Sequence, residues 1–350
     1  MSVRSSQIRV EVPAGGRRAA RLVGAEEFAG RLPVDAVVEG GRPLLKWLDA
    51  GGARFDEPFF EQTVERVRRE RPGGEEWFTD FDALVQLDKN ADARRPDGFI
   101  FHSSRCGSTL VANACRALDG AGVVSEAAAV DKLVWPYLAG GGATLELLGR
   151  VFLRAAVNLF ARHAGGRRFF VKFSCCSVLR LSFVRGVWQD VPWLFVHRDP
   201  VEVMVSNLRN PPDWMRRESQ PELAAAVTGA GEAEAARMRP EEFCARALGG
   251  FYAAAADAEG GPRMLVGYEE LSAAKLEEVV RFFGVTPTPA EAARVEAVRG
   301  FYAKDAAPSR RFEPDGEEKR AAASPAVREA AERWAAAPYR RLLSLRGGRR

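Results

Sequence analysis

The sequence predicts an α/β fold in which a central parallel sheet is flanked by helices, with an N-terminal extension ahead of it. Three observations predict it. From residue 98 onward short apolar runs alternate with stretches whose apolar residues recur at helical spacing, and strands alternating with helices imply a parallel sheet covered on both faces. The first of those runs, Phe99-Ile-Phe101, has the length and aromatic content of a buried strand. It leads through a small-residue turn, Ser103-Ser-Arg-Cys-Gly107, directly into a helix marked by Leu110, Val111, Ala114, Ala117 and Leu118. Ligands of such sheets bind beyond the C-terminal ends of the strands, where His102, Lys172 and Arg198 fall.

Residues 1–95 form the extension. Gln7-Ile-Arg-Val-Glu-Val12 alternates like a strand, Phe55 to Arg71 carries Phe59, Phe60, Val64 and Val67 at helical spacing, and Trp77 to Leu87 reads as a further helix. Gly51-Gly52 and Pro72-Gly-Gly74 break these segments apart, and Arg94-Arg-Pro-Asp-Gly98 is the turn into the first core strand. The main domain spans 96–345. It begins with strand Gly98–His102, a helix from Ser108, a short strand at Val123-Val124, and helices Glu126–Tyr137 and Thr144–His163. Strand Arg168–Phe173, a helix from Cys176, strand Trp193–His197 and a helix from Pro200 come next. Helices over Pro221–Thr228 and Pro240–Glu259 follow, the second with Phe243, Leu248, Phe251 and Tyr252 on one face, and Arg263–Gly267 is the last strand. After Pro289–Arg299 the polar, aperiodic Phe301–Arg311 reads as a loop. One helix from Ser324 to Leu345 then precedes a disordered basic tail, 346–350. No internal repeat is evident.

At 350 residues the chain is long enough for one large α/β domain, or one domain with a substantial appendage. Its 51 basic and 47 acidic residues leave a formal charge of +4, too small to argue for a nucleic-acid surface. Arginine dominates the basic residues; its planar fork suits phosphate and sulfate oxygens, while GC-rich coding would produce the same abundance. The five cysteines, Cys106, Cys115, Cys175, Cys176 and Cys244, include no C-x-x-C pair and complete no zinc site. Reduced thiols in a cytoplasm are the simplest account. Met1 to Arg18 lacks an apolar core of signal-peptide length, and no segment approaches the roughly 18 apolar residues of a membrane span. The expectation is a soluble, cytoplasmic protein with neither a membrane span nor a nucleic-acid partner, its oligomeric state left open.

The turn at 103–107 aims successive backbone N–H groups into one concavity, and the helix N-terminus behind it adds roughly half a positive charge. An oxyanion would sit well there. The nucleotide-phosphate loop G-x-x-x-x-G-K-[ST] differs from this stretch twice. With Gly107 as the second glycine, His102 replaces the first and Ser108 replaces the lysine; only Thr109 fits, and the cation is Arg105, ahead of the glycine. Anion binding survives the change, but the usual grip on a magnesium triphosphate is lost. A transferred group of lower charge that needs no metal, such as a sulfuryl group, tolerates it.

At this point the residues resemble a family. Ser104-Arg-Cys-Gly-Ser-Thr-Leu110 is similar to the 5′-phosphosulfate-binding loop of the sulfotransferases that use 3′-phosphoadenosine 5′-phosphosulfate (PAPS), distantly including the protein-tyrosine branch. Val191 to Ser206 resembles the family's 3′-phosphate motif, a buried strand ending in Arg, then Asp/Asn-Pro, then a helix carrying Ser; Arg198 and Ser206 stand at the family spacing. Met264-Leu-Val-Gly-Tyr-Glu-Glu-Leu271, followed by an amphipathic segment ending in Arg281-Phe-Phe-Gly-Val285, resembles the family's late strand, turn and helix. The three motifs keep the family order and cover residues 96–345. The resemblance implies a three-layer P-loop NTPase-like fold, PAPS as co-substrate without a metal, and in-line sulfuryl transfer to a hydroxyl or amine. The acceptor, a small molecule or a peptide, is not named by the sequence. Residues 1–95 would be a cap or a contributor to its pocket.

In that reading Arg105 lies at the scissile sulfate and the 5′-phosphate, with Ser104, Cys106, Gly107, Ser108 and Thr109 binding through backbone N–H groups and hydroxyls. Gly107 lets the backbone approach the anion closely. Arg198 and Ser206 hold the 3′-phosphate; the alternatives are a strand-end ion pair of Arg198 with Asp199 or Glu202 and a merely exposed serine. Glu126 resembles the family's general base for the acceptor hydroxyl, against the alternative of an ordinary helix start at Ser125-Glu126. Lys172 resembles the lysine that stabilises the bridging oxygen, against a lysine that only snorkels. His102, and after it His197, are the other candidate bases, and Lys304 and Arg310 of the late loop would close over the 3′-phosphate. Two rival readings stand beside this one: an ATP-dependent small-molecule kinase, and a non-catalytic nucleotide-binding module on the same fold.

Overall fold

Buried apolar strands set the architecture, seen in a computed structural model that describes residues 7–14, 17–89, 94–135, 142–300 and 315–346. The apolar runs expected from residue 98 onward form a five-stranded parallel sheet flanked by helices. Its strands are β6 (Gly98–His102), β7 (Ala121–Ser125), β8 (Arg168–Lys172), β9 (Trp193–His197) and β10 (Arg263–Gly267), in the order β10-β9-β6-β8-β7. Every residue of β6 and β9 is buried, as unbroken apolar runs covered on two faces require.

Ahead of it lies an antiparallel sheet of β1 (Gln7–Ala14), β2 (Arg17–Gly24), β3 (Arg31–Glu39), β4 (Arg42–Asp49) and β5 (Trp77–Thr79), in the order β2-β1-β5-β4-β3. The sequence pattern points to β1 and misses β2, β3 and β4. A signal for one hairpin was there: Gly40 and Gly41 sit at φ 55° and 76°, the left-handed pair that a two-residue turn between Glu39 and Arg42 needs. The helix expected over 77–87 divides. Trp77-Phe-Thr79 pairs with β1 and β4 as β5, and the helix begins at Asp82. Long-range packing overrides the local pattern here: Trp47 Nε1 donates to Thr79 Oγ1 at 2.9 Å, and Phe28 meets Trp47 and Trp77 edge-on at 5.0 and 5.1 Å. The helix expected over 55–71 runs from Phe60 to Glu70, with Phe59 N–H donating to Gln62 Oε1.

The chain divides into two compact units that interleave along it. The first comprises Met1–Asp97, Asp119–Lys172 and Gly186–Trp188; the second comprises Gly98–Leu118, Phe173–Arg185 and Gln189–Arg350. Within the first, the helix Gly142–Ala164 packs on Asp82–Asp88 and on Ala128–Val134. Its buried Asn158 donates to Asp88 at 3.0 Å and Arg162 pairs with the same carboxylate at 3.1 Å. Within the second, the helix Pro240–Asp257 buries Phe243, Leu248, Phe251 and Tyr252, the apolar face read from the sequence. All five cysteines are buried thiols, and desolvation pushes Cys115 and Cys244 up to about 12, so neither is a reactive thiolate. No helix among the described residues is long and apolar enough to cross a membrane.

The single last helix expected from 324 to 345 is two, Pro325–Trp334 and Ala336–Ser344. Pro338 supplies the reason: it has no N–H to donate to the Trp334 carbonyl, and its ring would crowd that carbonyl in a continuous helix. Arg346, assigned from sequence to the tail, is instead ion-paired with Glu269 at 2.8 Å and with Glu270.

The Trp334 carbonyl lies hard against Gly249: a Cβ built there would stand 2.2 Å from the oxygen, whereas one on Gly250 would meet Leu179 at an ordinary 3.4 Å. The two neighbours should therefore respond in opposite senses. Gly249→Ala is expected to lower unfolding stability by about 1–3 kcal/mol through overpacking against backbone. Gly250→Ala should be neutral or raise it by up to about 1 kcal/mol, since alanine favours a helix interior. Urea denaturation of the two variants checks this.

Candidate functional site

In the second unit, the turn between β6 and the helix Ser108–Arg116 has an unusual backbone. Ser104 and Arg105 sit at φ 69° and 49° and Gly107 at φ 86°. Among the described residues only Ser104, Arg105 and Glu126 are non-glycines with positive φ, and all three are site residues read from the sequence. Each such residue costs on the order of 1–3 kcal/mol and persists only where its surroundings over-determine it. Those surroundings are identifiable. The Val196 carbonyl accepts from Ser103 N–H at 3.0 Å and from Cys106 Sγ at 3.1 Å, which ties both ends of the turn to β9. Ser104 N–H donates to His102 Nδ1, and Ser104 Oγ donates to Asn207 Oδ1, both at 3.1 Å. Arg105 Nη2 donates to the Asn210 carbonyl at 2.8 Å. Gly107 is needed for its left-handed φ and for space, because a Cβ would lie 2.5 Å from Leu271 Cδ1 and 3.1 Å from Tyr268 Cδ2. Ser108 and Thr109 are buried at the start of the helix.

The second predicted anion ligand stands one residue past β9. Asp199 caps the helix Pro200–Arg209, accepting from the N–H groups of Val201 at 2.9 Å and Glu202 at 3.3 Å, and Pro200 takes the first helical position. Arg198 is 4% exposed. Its Nε donates to Glu202 Oε2 at 2.6 Å and its Nη2 to Asp315 Oδ1 at 2.7 Å, while Tyr252 Oη donates to its carbonyl at 2.8 Å. Its guanidinium carbon lies 3.9 Å from the centre of the Tyr268 ring. The ion pair with Glu202, named as an alternative from sequence, is therefore present, and Asp315 joins it. One ring, Tyr268, reaches both the Gly107 turn and Arg198. The helix Pro200–Arg209 also engages both arginines, Arg198 through its first turn and Arg105 just past its last. Ser206 is half-buried in that helix. Lys304 and Arg310 lie outside the described residues.

In the first unit, β7 and β8 run in parallel register with Ser125 opposite Lys172. Glu126 follows at φ 52°; its N–H donates to the Lys172 carbonyl at 2.7 Å and its carboxylate accepts from Lys172 Nζ. Lys172 is 1% exposed and Glu126 27%, so a buried ammonium is neutralised by a carboxylate that still reaches solvent. The Lys172 Nζ also lies 5.0 Å from the centre of the Phe59 ring. Glu126 and Lys172, read from separate stretches of sequence, form one pair.

Sequence reasoning passed over several participants. Tyr268 was legible as part of the Tyr-Glu-Glu-Leu turn but not as the ring under Arg198. Asn207, Asp315 and Phe59 carry no local signal for these roles, since each meets Ser104, Arg198 or Lys172 from a distant part of the sequence, and Lys319 enters through Asp315, four residues before it. His102, given as a base, uses Nδ1 to accept from Ser104, which leaves the proton of its neutral ring on Nε2.

His197 is wholly buried, stacked on Phe195 at 6.4 Å and edge-on to Tyr339 at 5.5 Å. Desolvation, aided by Arg346 and opposed by Glu269, lowers its pKa from 6.5 to about 4. Folded His197 thus stays neutral where the unfolded chain takes up a proton. Its contribution is complete above pH 6.5 and is lost as pH falls from there toward 4. Between pH 7 and 4.5 it should amount to about 2 kcal/mol. Denaturant unfolding at the two pH values should show a drop in the wild type larger by that amount than in His197→Gln.

Among solved structures, the sulfotransferase domain from the Synechococcus PCC 7002 olefin synthase is similar to this chain with a TM-score of 0.42 and 13% sequence identity, over 70% of this chain and 96% of that one. No protein-family model and no curated protein sequence matches the chain.

Proposed function

We propose that the chain is a sulfotransferase that moves the sulfuryl group of PAPS to a hydroxyl or amine acceptor by in-line displacement. The observation that carries this reading is the Tyr268 ring, which lies against Gly107 of the strained turn and under the guanidinium of Arg198. It joins an oxyanion-binding turn that lacks the kinase lysine to a second, buried arginine, as two phosphates on one nucleotide require. The backbone N–H groups of residues 105–109 and the Arg105 fork bind the 5′-phosphosulfate, Ser104 holds the turn through His102 and Asn207, and Arg198 with Ser206 binds the 3′-phosphate. Residues 96–345 carry these elements, and 1–95 serve the acceptor side.

The acceptor oxygen or nitrogen attacks sulfur, the bond from sulfur to the bridging oxygen breaks, and the acceptor's proton passes to the Glu126 carboxylate. Lys172 holds that carboxylate in position and offers a positive charge to the bridging oxygen. Arg105 and the turn neutralise the departing phosphate. Such donors act by pre-organisation: they are already oriented, so no reorganisation is needed as charge moves. The strained φ values of Ser104, Arg105 and Glu126 support this, because backbone strain persists where orientation matters.

Titration calorimetry tests the ligand class. Adenosine 3′,5′-bisphosphate should bind without magnesium and more tightly than ATP with it. Tight binding of magnesium-ATP alone would return the chain to the kinase reading. Bisphosphate binding with no transfer of labelled sulfate to a panel of phenols, alcohols and amines would mark a non-catalytic module.

Kinetics separate the roles. Arg105→Ala should lower turnover by more than about tenfold, the scale of a lost transition-state donor. Glu126→Gln should lower it by about a hundredfold or more, as for a lost general base, with bisphosphate affinity unchanged. Equal turnover in Arg105→Ala and wild type would remove Arg105 from the reaction.

A further inference from the structure

Arg198 is surrounded by two carboxylates of different standing. Glu202 is 5% exposed, sits in the first turn of the helix Pro200–Arg209, and is held from its other oxygen by Arg320. Asp315 is 41% exposed. One of its oxygens accepts from Arg198 at 2.7 Å and the other from Lys319 at 2.7 Å, and Lys319 is itself only 11% exposed. Asp315 occupies the N-cap position of the helix Gly316–Ala322, yet its side chain makes no capping hydrogen bond. The carboxylate therefore serves two cations, Arg198 and the Lys319 of the helix it precedes, and not that helix's backbone N–H groups. Burial works against its charge, but the hydrogen bonds from Lys319 and Arg198 outweigh it and hold the carboxyl below its ordinary range.

Two largely buried cations that converge on the two oxygens of one acidic group present the donors a phosphate monoester would use. We infer that Asp315 occupies the position of the nucleotide's 3′-phosphate between Arg198 and Lys319, competes with it, and is displaced when it binds. This rests on the proposed function above. Glu202 stays in place because it is buried and held on both sides; Asp315 is the partner with a path to solvent. Lys319, which no sequence motif singles out, becomes a ligand of the 3′-phosphate beside Arg198. The exchange replaces one negative charge by about two. It reduces the apparent affinity by the fraction of molecules in which the aspartate still holds the cations.

The test is calorimetric titration of the full chain and of two variants with adenosine 3′,5′-bisphosphate, adenosine 3′-monophosphate and adenosine 5′-monophosphate. Asp315→Asn, which keeps the side-chain shape and removes the competing charge, should bind the two 3′-phosphorylated nucleotides about tenfold more tightly and leave the 5′-monophosphate unchanged. Lys319→Met should weaken the same two by about tenfold and again spare the 5′-monophosphate. Wild-type binding of the bisphosphate with no gain in Asp315→Asn, or an equal gain for the 5′-monophosphate, would overturn the competition while leaving the sulfotransferase reading intact. No bisphosphate binding by any of the three proteins would overturn the functional reading and this inference together. A melting curve for each variant keeps misfolding apart from lost affinity, and the opposite directions expected for the two variants cannot both arise from misfolding.

Discussion

One carbonyl, that of Val196, holds the candidate nucleotide site in register. It accepts from Ser103 N–H and from Cys106 Sγ, so both ends of a left-handed turn are attached to the strand whose next residues are His197 and Arg198. The parallel pairing of Phe99 to His102 with Trp193 to Val196 brings the turn and the arginine to the same strand ends. That attachment, with the side-chain hydrogen bonds of Ser104 to Asn207 and of Arg105 to Asn210, supports a positive φ that neither residue type favours intrinsically. The cost of the strain is offset by a fully buried pair of strands on either side of the hydrogen bond.

The charged groups fall into two arrangements with different physics. Lys172 and Glu126 form an ion pair in which a buried ammonium meets a carboxylate and an aromatic face. Such a pair contributes little net stability, but removing Glu126 would strand the buried Lys172 ammonium in a low-dielectric interior, so the geometry is strongly specified. Around Arg198 the charges alternate instead: Arg320, Glu202, Arg198, Asp315 and Lys319 follow one another through ion pairs. An alternating chain can exchange one anionic member for another without leaving a cation unpaired.

Much of the parallel sheet was readable because its information is local. Phe99-Ile-Phe101 and Trp193-Leu-Phe-Val196 are continuous apolar runs, and the small residues after the first can only be a turn. The antiparallel sheet was less legible: β2 and β3 expose Leu22 and Val38, so their alternation of polar and apolar residues is imperfect. β5 is three residues long and is defined by the partners it pairs with. Pro338 illustrates a signal that was present and outweighed by the periodicity around it. Apolar residues on both sides suggested one helix, and a missing N–H made two.

Among the candidate site residues, Arg105, Gly107, Glu126, Lys172 and Arg198 could be named from sequence because each ends or follows a strand or opens a helix, and position along a strand is a local property. The sequence by itself determined that order of strand, turn and helix, and with it which residues stand at strand ends. Only the tertiary structure decided their partners. Arg198 and Asp315 are 117 residues apart, and Lys172 and Glu126 are 46 apart. Which carboxylate meets which cation depends on how the elements pack, and packing sums contacts over the whole chain rather than over any window of it.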